Sequence, residues 1–191
     1  MQERRIVQHL EQTLSSEQLA HALGTAETAG ALAKILGCDE RKARLAGLLH
    51  DSARGWPAED LLAFAQKHEL AVDNYCLEQP VLLHAPVGAV LAKEQWGIED
   101  EEILKAIAHH TLGSPGMTVL AQIIYLADKI EPNRSYPQVE KLRSLAREDF
   151  PKALRMTVAN SIAYQLAKNQ IIHPSAVKYW NWLVQKTKEG G

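Results

Sequence analysis

VLAQIIYLADKI, residues 119–130, sets Leu120, Ile124 and Asp128 at four-residue intervals, so the three share one stripe of a helix that is otherwise apolar. The same three- and four-residue spacing of apolar side chains recurs in nearly every segment, and no convincing alternating, β-branched run interrupts it. The chain therefore reads as all-α. Ile6, Val7, Leu10 and Leu14 mark a first short helix; Ser15 or Ser16 caps a second that runs to Leu36 and stops at Gly37. Asp39 caps a third with Leu45, Leu48 and Leu49, and Pro57 opens a fourth with Leu61, Leu62 and Ala65. Residues 72–79 read as looser chain. Pro80 and Pro86 bracket PVLLHAP, so a helix starts near Ala85 and runs to Trp96, with His84 at its entrance. Helices over 101–111 and 117–130 are separated by LGSPG, and 132–137 is loop. Helices near 138–147 and 151–169 precede His173-Pro174, where the last one opens; the tail KTKEGG is expected to fray.

At 191 residues, 46% hydrophobic and 23% charged, with eleven Gly and eight Pro, the composition excludes disorder, collagen-like repeats and a coiled coil. The length suits one domain over 1–191 that closes a core without disulfides, with a core at about 16–135 and further helices at about 137–187. A net charge of -2 offers no basic stripe to a nucleic acid but leaves small anionic ligands open. Cys38 and Cys76 form no zinc-ribbon spacing, MQERRIVQHL lacks a secretory apolar core, and no apolar run approaches the roughly 18 residues of a membrane span. A cytoplasmic protein without a membrane partner is expected, and a homodimer stays open.

Eight histidines carry the chemical signal. His9 and His68, among Gln, Glu and Lys, read as solvated. His50 and Asp51 close the apolar stretch of RLAGLLHDSAR, so at least one of them faces the interior. Burying even an uncharged polar group without a partner costs roughly 2–7 kcal/mol, and a cation between the two removes that cost. The plainer alternative is a pair that caps the helix at its solvent end. Asp128 lies on the buried stripe, where a Lys or Arg partner would serve as well as a metal. Ile103, Ile107 and His110 share a face, so His110 points inward and His109 outward with Glu102 and Lys105. His21 precedes Gly24 and Thr25 by one turn, and these small residues leave room above its ring. With His84, the set is four imidazoles and two carboxylates from five segments. Such N and O ligation without thiolate suits iron, manganese, zinc or a similar divalent ion and excludes an iron-sulfur cluster.

In order along the chain, AHALGTAETA, LAGLLHDSAR, LLHAPVGAVLA, AIAHHTLG, IYLADKIEPNR and IIHPSAVKYWNWL resemble the HD superfamily of metal-dependent phosphohydrolases, and more narrowly its YqeK subgroup. The resemblance covers nearly the whole chain. It implies an HD-type helical bundle that hydrolyses diadenosine tetraphosphate symmetrically to two ADP. It also implies a divalent ion, iron first with manganese or zinc as alternatives, held by His21, His50, Asp51 and Asp128. The phosphates would lie against Asp51, Ser52, Ala53, Arg54, His84, His110, Thr111 and Arg134, with Gln18 and Asp128 alongside. The nucleoside of an ADP- or GDP-like product would lie against Ile171, Ile172, His173, Pro174, Ser175 and Ala176, so that the C-terminal helices complete the pocket. Two positions depart from the family pattern. Gln18 stands where relatives usually carry Arg, and Arg54 stands where they often carry Lys, exchanging a point donor for a fork.

A divalent ion can lower the pKa of a bound water from 15.7 to about 7, which makes hydroxide available at neutral pH. Asp51, His84 and His110 are the expected catalytic residues. His84, His110, Arg54 and Arg134 would meet the developing phosphate charge, and protonated His84 or His110 is the expected proton donor. With Asp51 bridging, His84 and His110 also suit a second ion; one ion with two phosphate-binding histidines is the preferred reading and two ions the alternative. The competing functions are another HD phosphohydrolase acting on a mononucleotide, deoxynucleoside triphosphate or guanosine alarmone, and a nucleotide-sensing module. Trp56, Trp96, Trp180 and Trp182 read as packing residues ahead of base-stacking platforms, with a tryptophan lining the nucleotide pocket as the alternative.

Overall fold

A computed structural model describes residues 2–189. Among them it contains eleven α-helices and one 3₁₀ turn, with no strand. The helices are α1 (Gln2–Thr13), α2 (Ser16–Leu36), α3 (Glu40–Leu49), α4 (Ala58–Lys67), α5 (Asn74–Glu78), α6 (His84–Trp96), α7 (Glu101–His109), α8 (Val119–Ile130), α9 (Val139–Glu148), α10 (Phe150–Ala167) and α11 (Pro174–Glu189), and the 3₁₀ turn is Pro80–Leu83. Three details differ from expectation. The looser stretch holds the short helix α5, because the Asp73 side chain accepts from the Cys76 N–H and starts a turn. Pro57 sits just outside α4 as its N-cap. The last helix persists through Glu189 instead of fraying from residue 186, while Gly190 and Gly191 lie outside the described residues.

The hairpin of α2 and α3 sets up the site. Ser15 and Gln18 cap each other reciprocally at the start of α2, and Gly37 ends it in the left-handed conformation at φ 69°. Gly47 then meets α2 so closely that a Cβ there would stand 2.7 Å from the Ala26 Cα. Backbone approaches backbone, and His50 at the end of α3 comes to rest beside His21 near the start of α2. On the other side of His50, Gly88 lets α6 lie close enough that a Cβ would be 3.3 Å from the His50 carbonyl oxygen.

A main apolar core draws on α1, α2, α3, α7, α8, α9, α10 and α11, and a smaller cluster around Leu61, Ala65, Leu83, Val87 and Leu91 sits under α4 and α6. Tyr179, with no exposure, packs its ring on Gly113, whose φ of +70° and missing Cβ allow the contact and tie α11 to the turn after α7. No helix among the described residues is long and apolar enough to cross a membrane.

Candidate metal centre

Five elements deliver six side chains to one point. His21 comes from α2, His50 and Asp51 from the end of α3, His84 from the first residue of α6, His110 from the end of α7 and Asp128 from α8. Across a first pair, His21 Nε2 lies 3.1 Å from His50 Nε2, 3.1 Å from Asp128 Oδ1 and 3.6 Å from Asp51 Oδ2. Across a second pair, His84 Nε2 lies 3.1 Å from His110 Nε2, and Asp51 Oδ1 is 3.2 Å and 3.3 Å from the two rings. Asp51 thus turns one oxygen to each histidine pair. The Thr111 hydroxyl is 3.1 Å from His84 Nε2 and 3.2 Å from His110 Nε2.

The far nitrogen of each ring fixes what the near one can do. His50 and His110 direct Nδ1 at the carbonyl oxygens of Gly47 and Ile107, both at 2.7 Å, and His84 directs its Nδ1 at the Val81 carbonyl. His21 Nδ1 meets Glu131 Oε1 at 3.1 Å. Carbonyl oxygens only accept, so those Nδ1 atoms carry the proton and the neutral rings present bare Nε2 lone pairs to one another. Two such lone pairs 3.1 Å apart repel. Burial pushes His50 down to about 4 and lowers His84, so neither of these rings takes up a proton near neutrality, whereas at His21 burial is outweighed by Asp128 and Glu131, which raise it, so in the first pair His21 Nε2–H can donate to His50. Burial alone would raise Asp128, but Lys129 with His21 beside it holds that carboxyl well below the usual carboxylate range, and Asp51 is likewise held low. Converging imidazole nitrogens and ionised carboxylates fit a divalent cation. The trios His21, His50, Asp51 and Asp51, His84, His110 each bring their ligand atoms close enough to hold one.

Residues 19–133 match the family model described as HD domain. The chain belongs to the HD domain family. It is 39% identical over 175 residues to the symmetrical bis(5'-nucleosyl)-tetraphosphatase of Bacillus subtilis (strain 168), covering 92% of this chain and 94% of the relative. It is 40% identical to the enzyme of the same name from Halalkalibacterium halodurans, covering 92% and 93%. A crystal structure from Clostridium acetobutylicum, of a predicted HD superfamily hydrolase involved in NAD metabolism, superposes with a TM-score of 0.93 at 37% identity, covering 96% of this chain and 97% of that one.

Around the ligand set, this HD protein adds residues that the sequence reading did not single out. Glu131 is 1% exposed; one of its oxygens meets His21 Nδ1 and the other accepts from the Asn133 N–H and side-chain amide at 2.7 and 2.9 Å. Gly24 makes the room, since a Cβ there would stand 2.6 Å from Glu131 Oε2, so the space above the imidazole is taken by this carboxylate. Glu131 follows Asp128 by three residues on the same stripe, and that spacing was the available signal. Lys129 pairs with Asp128, so the ion-pair alternative for Asp128 also holds. Arg134 donates Nη2 to Asp128 Oδ1 at 2.6 Å and Nε to the Asp128 carbonyl at 2.8 Å. Its loop is in turn pinned by Arg143 of α9, which donates to the carbonyls of Ile130, Glu131 and Arg134 at 2.8, 2.6 and 2.8 Å.

The remaining expected residues divide. Ser52 lies next to Asp51 and donates to the Leu49 carbonyl at 2.7 Å; Arg54 is exposed; the Ala53 side chain is wholly buried in the smaller cluster and can offer only backbone. Gln18 spends its Oε1 on the Ser15 N–H. Ile171, Ile172, Pro174, Ser175 and Ala176 surround His173, whose side-chain contacts go to Asp73 and Tyr75 at α5. His109 points away from the ligand set but is half-buried. His68 is not solvated: it stacks on Phe64, one turn earlier on α4, with ring centroids 4.1 Å apart.

Proposed function

We propose that this protein is a metal-dependent hydrolase that cleaves dinucleoside tetraphosphates symmetrically, diadenosine tetraphosphate to two ADP. The observation that carries the reading is the carboxylate of Asp51 shared between two pairs of imidazoles, in a chain similar over 92% of its length to symmetrical tetraphosphatases. His21, His50, Asp51 and Asp128 would hold one divalent ion, iron ahead of manganese or zinc. Asp51, His84 and His110 supply a second place. Because the Nδ1 proton of His84 is committed to a carbonyl and burial lowers this ring, its Nε2 is an acceptor. That favours a cation there over a directly bound phosphate, and it removes His84 as the resting proton donor. A bound divalent ion lowers the pKa of a water toward neutrality and offsets phosphate charge.

The chain's own groups then orient the substrate. Arg134 is held beside Asp128 with part of its fork toward the centre, and Arg54 stands on the turn after Asp51; both supply positive charge to the phosphate chain as charge develops in the transition state. Thr111 offers a hydroxyl between the second histidine pair, and Ser52 and Gln18 flank the phosphates. The 171–176 loop receives one nucleoside. A nucleoside diphosphate is a stable leaving group once its charge is offset, so no strong acid is needed at the far oxygen.

Incubating the purified protein with diadenosine tetraphosphate and iron or manganese should give ADP alone. AMP with ATP, or no turnover with either metal, would refute the reading. Elemental analysis of the protein as purified tests the choice of iron.

A further inference from the structure

We propose that a cavity beside the metal centre, bounded by α1, the first turn of α2, the turn after α3 and the end of α6, receives the second nucleoside of the substrate. The inference rests on the symmetrical tetraphosphatase reading and extends it. The cavity has a volume of about 340 Å³, at the lower end of the range for small-molecule sites. Trp56 and Trp96 line it, together with Thr13 and Gln95. No Lys, Arg, Asp or Glu is among its lining residues, and His9, the one histidine there, stands edge-to-face with Trp96 at 5.3 Å, so the cavity suits an aromatic group better than a phosphate. Base-on-aromatic stacking tolerates any base because every base has a π-face.

Position favours the same ligand. Two lining residues lead directly to the metal centre: Ser52 adjoins Asp51, and Gln18 lies one helical turn before His21. Neither the Gln95 amide nor the two indole N–H groups has a hydrogen-bond partner among the described residues, leaving donors and an acceptor for the edge of a base. The 171–176 loop contributes nothing to the lining; it is tethered elsewhere, at Asp73. Cutting between the two middle phosphates leaves each nucleoside two phosphates from the break. A centre with one nucleoside place by the loop and another in this cavity would grip both halves.

The test compares diadenosine tetraphosphate with adenosine 5'-tetraphosphate, which carries the same phosphate chain and a single nucleoside. Thr13→Trp and Gln95→Trp, at exposed positions on opposite walls, fill the cavity, and circular dichroism checks that each folds. Each should lower kcat/KM for the dinucleoside tenfold or more while leaving the mononucleoside substrate within about twofold. Equal losses on both substrates, or no loss on either, overturn the proposal while the parent reading stands. Should the wild type ignore adenosine tetraphosphate, loss of dinucleoside turnover in both folded variants supports the proposal and its retention overturns it. A wild type that makes AMP and ATP, or turns over neither substrate, removes the parent reading and the proposal with it.

Discussion

His173 donates Nε2–H to Asp73 Oδ2 at 2.9 Å while its Nδ1 accepts the Ser175 N–H at 3.1 Å, so one neutral ring fastens two segments a hundred residues apart. The Cys76 N–H, and His173 beside it, hold the Asp73 carboxyl below its ordinary range. The folded value is the depressed one, so the contact contributes above the ordinary carboxylate pKa and fades only as pH falls through the lower folded value. Asp73→Ala should raise KM for diadenosine tetraphosphate by up to about tenfold with kcat little changed, and lower the melting temperature by a few degrees because the α5 cap is lost with it. Steady-state kinetics decide, and an unchanged KM would show that this contact does not order the nucleoside loop.

Asp51→Ala removes the one carboxylate that faces both histidine pairs. Metal retained after desalting should drop to background and kcat should fall by more than about a hundredfold, beyond what loss of a supporting partner causes, with helical content preserved. Atomic absorption and circular dichroism test this together; metal content equal to wild type would refute the assignment.

Neighbouring histidines should part company. His110 is 2% exposed and reaches Asp51, whereas His109 is half-buried away from the ligand set. His110→Ala should cost a hundredfold or so in kcat, and His109→Ala should stay within about threefold, a change worth less than roughly 1 kcal/mol. Equal losses would contradict the geometry.

Glu131 orients His21 without reaching the other ligands. Glu131→Gln keeps the volume and one acceptor but withdraws the charge, and metal affinity should weaken by about 10- to 100-fold. Competition with a chelator measures it. Affinity within twofold of wild type would mean that His21 holds its orientation unaided.

Gly47→Ala drives a methyl into the Ala26 backbone, a contact no rotamer can relieve. A loss of about 1–3 kcal/mol in unfolding free energy is expected from denaturant titration, together with weakened metal retention, because the same contact sets His50 against His21.

Four of the six converging side chains were legible because each interrupts an apolar pattern, whereas His21 and His84 took their weight from the family resemblance. Asp128 breaks the stripe of Leu120 and Ile124, His50 and Asp51 end an apolar run, and His110 repeats the face of Ile103 and Ile107. Glu131 obeyed the same rule and could have been found by continuing one step. Other features leave no such trace. Arg143 acts on three main-chain carbonyls, and every residue has one of those. Asp73 stands in a stretch without helical periodicity, beside Asn74 where a turn-forming acid is unremarkable, and only the folded chain brings His173 to it. His68 was misread from its polar neighbours when its partner, Phe64, lay four residues away.

The guanidinium of Arg143 has a practical corollary for anyone trimming the protein. The span that carries the family signature ends at residue 133, ten positions short of the group that grips the Arg134 segment from outside. A fragment excised at that boundary would keep all six converging side chains yet lose Arg134 itself together with the Arg143 brace on the segment that carries it. The shortest working piece therefore has to reach into α9.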